Sequence, residues 1–206
     1  MFVLNANSVI LEIHLVKAYT VHVPYPAKTD PESILATALE ILENNGPEEL
    51  SMRHLAAQLK MKAPSLYRHY KDKATLEEAL IETGSKQLQR LLFNQISQQT
   101  PADALRTCAK TYLLFSQEHP HLYTLMHTPN IYSSTGNPKE LWTTLLQIIG
   151  AVTGNPDDTN SAVAFWAFVH GFCSLERSGQ FGASGPKAGF ETGIEALLIG
   201  FSRKQP

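Results

Sequence analysis

From residue 101 onward, apolar residues recur at helical spacing between short polar breaks. Leu105, Cys108, Ala109, Tyr112 and Phe115 make one stripe over 101–118, and Leu122, Tyr123, Leu125 and Met126 a shorter one over 120–127. Leu141, Trp142, Leu145, Leu146 and Ile149 predict a helix over 138–152. Phe190, Ile194, Leu197, Leu198 and Phe201 predict a final one over 187–202. The breaks at 95–101, 128–137 and 178–185 are rich in Gln, Ser, Gly, Asn or Pro. Over 157–177 the pattern differs. Between Ala162 and Leu175 the chain is apolar almost all round, interrupted at His170 and Ser174. Such a helix is buried on more than one side. It predicts one face in its own core and another against a second copy, where two helices per subunit form a four-helix bundle across a two-fold axis. The expected interface residues are Phe165, Val169, Gly171, Phe172, Ile194 and Leu198, with Gly171 permitting close approach.

Further upstream the elements shorten and turn basic. Ser51 can cap a helix carrying Met52, Leu55, Ala56 and Leu59 on one face. A turn, Lys60-Met61-Lys62, follows, and Pro64 suits the first position of a second short helix running to about Tyr70. Asp72 can cap a third, through Thr75, Leu76, Ala79 and Leu80 to about residue 94. Two short helices across a tight turn are the helix-turn-helix arrangement. Residues 51–73 hold six of the 17 Lys and Arg and one acid, a charge of +5, while the remainder carries 11 bases against 18 acids. An acidic chain with one basic island, carrying Tyr67 and Tyr70, points that island at phosphates. Arg68 can reach a guanine edge or a phosphate.

At these residues the chain resembles the TetR family of transcriptional regulators. The string Pro64-Ser65-Leu66-Tyr67-Arg68-His69-Tyr70-Lys71-Asp72-Lys73-Ala74-Thr75-Leu76 is similar to the family's recognition helix and the start of its fourth helix. Residues 51–59 resemble its second helix, and residues 30–45, ending at Gly46, its first. The resemblance implies Arg53, Ala63 and Pro64 toward bases, and Ser65, Tyr67, His69 and Lys73 toward the DNA backbone; Ser51 and Lys62 complete the expected DNA-facing set. The family usually has Gly in the turn where this chain has Lys60. A left-handed backbone there costs a non-Gly residue about 1 kcal/mol. A second resemblance, to the WHG-type C-terminal regulatory domain, rests on Trp166, His170 and Gly171. The implied architecture is all-α: an N-terminal three-helix helix-turn-helix domain over 28–80, then a helical ligand-binding and dimerisation domain over 81–206. The implied function is a dimeric repressor, released from a palindromic double-stranded DNA operator by a small apolar effector.

Composition narrows the rest. At 206 residues, 43% hydrophobic and 17% charged, the chain folds rather than staying disordered. No run of 18 apolar residues spans a membrane. Cys108 and Cys173, with no second pair for zinc, read as small hydrophobes in a reducing cytosol, so a cytoplasmic place is expected. Tyr112, Phe115, Tyr123, Met126, Trp142, Trp166 and His170 are read either as core or as an apolar ligand site. His170 either holds a ligand or satisfies a core partner. No P-loop, nucleophile elbow or dinucleotide fingerprint occurs, so no cofactor and no catalytic set are expected. The competing class is a small all-helical enzyme or metal protein using Glu118, His119, His121 and His127, although no spaced set of Cys or carboxylates completes a metal site. Residues 1–27 are an apolar extension ended by Pro24 and Pro26, without a basic start or a cleavage site. They read as a poorly packed extension or as an arm against the body or a partner.

Overall fold

The computed structural model describes residues 30–128, 138–182, 185 and 188–203. The expectations for residues 1–27 and for most of the 128–137 loop therefore lie outside the described residues. Regular structure among the described residues is entirely helical: α1 (Pro31–Asn45), α2 (Met52–Gln58), α3 (Ala63–Leu66), α4 (Lys73–Ile96), α5 (Pro101–Glu118), α6 (Pro120–Met126), α7 (Pro138–Thr153), α8 (Thr159–Arg177) and α9 (Gly189–Ser202).

The helix starts follow from local chemistry. Asp30, Ser51, Asp72, Thr100 and Asp158 each accept a hydrogen bond from a backbone N–H of the first turn, satisfying a donor the helix cannot satisfy itself. Proline occupies the first turn of α1, α3, α5 and α6, where no N–H is needed. Helix α2 ends in a Schellman arrangement: Met61 N donates to the Ala56 carbonyl at 2.9 Å and Lys60 N to the Ala57 carbonyl at 3.0 Å. Lys60 takes φ 52°, the left-handed turn expected of glycine. The chain therefore holds a cation there at a cost of about 1 kcal/mol.

Two hydrophobic clusters carry the packing. The first joins α1–α4 to Phe115 of α5, to Leu122, Tyr123, Leu125 and Met126 of α6, and to Cys173 of α8. The second is built from Leu105 and Ala109 of α5, Ile149 and Val152 of α7, Ala162, Phe165 and Val169 of α8, and Phe190, Ile194, Leu198 and Phe201 of α9. A two-pronged pair of Arg106 with Glu195, at 2.6 and 2.8 Å, ties α5 to α9 at the surface. The expected boundary at 80/81 falls inside the unbroken α4, and the first cluster crosses it.

Helix α6 is the wedge between the two halves. Its first N–H groups have no intrahelical partner, and Glu43 of α1 supplies one from outside. Its carboxylate accepts from Leu122 N at 2.9 Å and from His121 N at 3.3 Å. On the other side α6 lies so close to α4 that a Cβ at Gly84 would sit 2.9 Å from both Leu122 Cδ2 and Met126 Sδ.

The protomer's own packing already engages most of the expected interface residues. Phe165, Val169, Ile194 and Leu198 are buried in the protomer's own second cluster. Phe172 packs its ring at 4.9 Å against both Phe181 and Phe190. A Cβ at Gly171 would meet nothing within 4 Å, so this glycine is not required for a close helix contact inside the protomer. The outward apolar positions of the same helices are Val163 (46% exposed), Trp166 (47%), Leu175 (47%) and Ile199 (55%). An all-round apolar helix has two faces, and residue type alone had not told the inner from the outer.

Both contacts of α6 are measurable. Glu43→Ala should cost about 1–3 kcal/mol by orphaning two partly buried donors, and Gly84→Ala a similar amount by forcing α4 and α6 apart. In urea unfolding the double mutant should fall short of the sum, because both changes loosen one helix; strict additivity would show that the two contacts are independent.

Candidate functional site

The first candidate surface is the short α2–turn–α3 unit. Met52, Leu55, Ala56 and Leu66 point into the first cluster, which leaves the other sides of α2 and α3 outward. Arg53, Lys60, Lys62, Pro64, Tyr67, Arg68 and Lys71 are exposed, while Ala63, Ser65 and His69 are partly so. Arg53, Lys62 and Arg68 have no ion-pair partner among the described residues, so their charges are free for an external anion. Tyr67 is half exposed, a large apolar ring that the domain's core does not use. Two expected contacts are already engaged. Ser51 Oγ accepts from His54 N at 3.1 Å and keeps its hydroxyl proton to offer. Lys73 Nζ donates to the Pro47 carbonyl at 3.1 Å and lies 3.6 Å from Glu77, so its charge is partly neutralised from within.

The second candidate site is a cavity of about 720 Å³ among α4, α5, α6, α7 and α8. That volume suits a small organic molecule. Of the expected ligand residues, Tyr112, Met126, Trp142, Trp166 and His170 line it. Phe115 does not: it is 2% exposed and belongs to the first cluster. Tyr123 is not on the wall either, but stands behind it, its hydroxyl 2.7 Å from His170 Nδ1. The rest of the wall was missed in the sequence. Leu88, Leu92 and Phe93 come from the C-terminal half of α4, which read only as a connecting helix. Phe165 and Val169, expected at the subunit interface, line the cavity from the inner face of α8. Cys108 is another wall residue, its thiol pushed up to about 12 by burial and so kept protonated.

His127 is the most informative omission. Its Nδ1 lies 2.7 Å from the Tyr123 carbonyl and its Nε2 2.9 Å from the Tyr112 hydroxyl. Burial pushes its imidazole down to about 4, with the charges of His170 and Arg177 acting in the same direction and the Tyr123 carbonyl opposing them. Its expected neighbours go elsewhere. His119 Nε2 accepts from the Gln87 amide, at 3.1 Å, and its ring packs on Phe115. His121 offers its backbone N–H to Glu43, and its ring approaches Gly46. These three imidazoles engage three different partners, and no group of three or more His, Cys, Asp or Glu among the described residues could hold a metal ion. Among those residues no helix is long and apolar enough to cross a membrane.

Comparison with known proteins agrees with this layout. Residues 34–80 match the family model described as bacterial regulatory proteins, tetR family, and residues 105–197 match the tetracyclin repressor-like C-terminal domain. An uncharacterized HTH-type transcriptional regulator of Mycobacterium tuberculosis is 26% identical over 186 residues, spanning 87% of this chain and 84% of that protein. A solved structure of a Rhodococcus protein of unknown function superposes with a TM-score of 0.71 at 22% identity, covering 90% of this chain and 98% of that one. A substituted TetR of Acinetobacter baumannii, solved in complex with minocycline, superposes with a TM-score of 0.63 at 23% identity, covering 86% and 98%.

The depressed His127 makes stability depend on pH. The unfolded chain takes up this proton near pH 6.5, whereas the folded protein refuses it until about pH 4. Between those values the unfolded state binds more protons, so the contribution of neutral His127 is complete above about pH 6.5 and is lost as pH falls toward 4. Urea denaturation across this window should give a shallower acid limb for His127→Gln than for wild type. The difference should not exceed about 1.4 kcal/mol per pH unit. Parallel curves would mean that the imidazole charges without cost in the folded state.

Proposed function

The chain belongs to the TetR family of transcriptional regulators, and from that premise we propose that it is a ligand-responsive repressor that binds a palindromic operator as a homodimer. It is a regulator and not an enzyme. The observation that carries the DNA reading is the outward face of α2 and α3, where Arg53, Lys62 and Arg68 stand exposed and unpaired. In a two-fold dimer two such faces would enter successive major grooves about 34–36 Å apart. Arg68 and Arg53 would read base edges, Ala63 and Pro64 would make apolar contact, and Lys62, Ser65, Tyr67 and His69 would seat the backbone. A cytoplasmic location follows from such a target.

The dimer we propose uses the outer faces of α8 and α9. Val163 of α8 and Ile199 of α9 are apolar and about half exposed, at 46% and 55%. Surface of that kind favours a second copy, because burying it removes about 25 cal/mol per Å² of apolar area from contact with water.

The cavity would hold the effector; the substituted Acinetobacter TetR, which shares this fold, was solved in complex with minocycline. Its wall includes Leu88 and Leu92 of α4 and Met126 and His127 at the end of α6. Helix α4 begins beside the recognition helix, and α6 is bound at its other end by Glu43 of α1. A ligand that fits one placement of α4 and α6 better than another would shift the DNA-binding unit by that difference in affinity.

Two measurements test this reading. With a duplex selected from random DNA, Arg68→Ala should cost about 1–3 kcal/mol and relax preference at one position, whereas Lys62→Ala should weaken all duplexes and flatten the salt dependence by about one unit of slope. Undiminished binding by an Arg68→Ala, Lys62→Ala, Tyr67→Phe triple mutant would remove this helix as the reader. In sedimentation, Val163→Glu with Ile199→Glu should convert dimers to folded monomers. A wild-type protein that is monomeric at micromolar concentration would sink the dimer.

A further inference from the structure

Exposure shows which way the cavity opens. Of its wall residues, Phe93 of α4, Lys139 of α7 and Trp166 of α8 are exposed, whereas Leu88, Met126, Phe165 and Val169 are buried. The mouth therefore lies between α4, α7 and α8. The polar network of Tyr112, Tyr123, His127 and His170 is neutral. Burial lowers both imidazoles and raises both phenols, so near neutral pH the network sets no preference between a cation and an anion.

Charge on the wall is confined to the mouth. Lys139 is the one charged residue among those that line the cavity, which include no Asp, Glu or Arg. It has no ion-pair partner among the described residues. The neighbouring acid, Glu140, accepts from the Gln89 amide of α4. Residues 128–138, just before Lys139, contain neither acid nor base. Ser85, one helical turn before Gln89 on α4, also lines the cavity, and its hydroxyl makes no hydrogen bond to another described residue.

These charges act on a ligand according to where its head lies. Leu88, Leu92, Met126 and Leu145 take up an apolar body, and a charged group carried in among them would lose its water without a counter-ion. A head left at the mouth keeps part of its hydration. There a carboxylate gains the attraction of Lys139, with the Ser85 hydroxyl as a further donor on the α4 side, whereas an ammonium meets a like charge. We propose that the cavity favours an amphiphilic monoanion, an apolar ring or chain bearing one carboxylate, held with its head outward against Lys139. This rests on the reading of the cavity as the effector site.

Three probes share one body and differ in charge: 2-naphthylacetate, 2-(2-naphthyl)ethanol and 2-(2-naphthyl)ethylammonium. Each is titrated into the full-length protein by calorimetry, with melting temperature as a second readout. The carboxylate should bind about three- to fivefold tighter than the alcohol, the size of a partly exposed ion pair, and the ammonium weakest. That ratio should shrink toward parity as salt rises from about 0.01 M to about 1 M. Lys139→Gln should bring the carboxylate and the alcohol together, and Lys139→Glu should put the ammonium ahead of the carboxylate. Lys139 is exposed, so neither change touches the core, and reading each as a ratio cancels any general change in the cavity. A carboxylate preference that survives Lys139→Gln overturns the head-group assignment and leaves the cavity as a ligand site. So does a wild-type protein that binds the alcohol or the ammonium as tightly as the carboxylate. Binding of none of the three overturns both.

Discussion

The structure turns on how α6 is held. A seven-residue helix contributes little stability of its own, because nucleation consumes most of what its hydrogen bonds return. Two contacts hold it in place. The Glu43 carboxylate takes up N–H groups at its start, and the missing side chain at Gly84 lets α4 approach Leu122 and Met126. Through the first contact α6 belongs to the DNA-binding unit, and through its last turn it belongs to the cavity. Neither half can shift alone without breaking a charge-assisted hydrogen bond or opening a void beside α4. This explains why the first hydrophobic cluster ignores the expected domain boundary.

The cavity shows how a polar wall can exist inside an apolar shell. Tyr112, Tyr123, His127 and His170 satisfy one another, so burial leaves no orphaned group among them. Their neutrality is part of the design. Burial lowers both imidazoles and raises both phenols, so none of the four carries charge near neutral pH. Protonating His127 would remove the acceptor that the Tyr112 hydroxyl meets at Nε2.

At the DNA end the chemistry is simpler. The core residues of α2 and α3 occupy one side, and Arg53, Lys60, Lys62, Tyr67 and Arg68 are left exposed. Lys60 stands in a left-handed turn, accepting about 1 kcal/mol of backbone strain and placing one more cation on that exposed face.

The sequence by itself determined the helices and the DNA-reading unit. Caps at Ser51, Asp72 and Thr100, prolines in first turns and the stripe of each helix are local features, and local chemistry decides where a helix begins and which residues can share a face. The basic island was legible for the same reason: Arg53, Lys62 and Arg68 lie within one short unit. Tertiary structure decided everything that depends on which face meets which. Phe165 and Val169 turned inward to the cavity while Val163 and Leu175 turned outward, although all four are apolar. His127, read in the sequence only with the histidine-rich segment near 118–127, stands at the centre of the polar wall because Tyr112, 15 residues away, and His170, on α8, stand over it. A helical pattern fixes the angle between side chains on one helix, not the rotation of that helix against its neighbours. Only packing supplies that rotation.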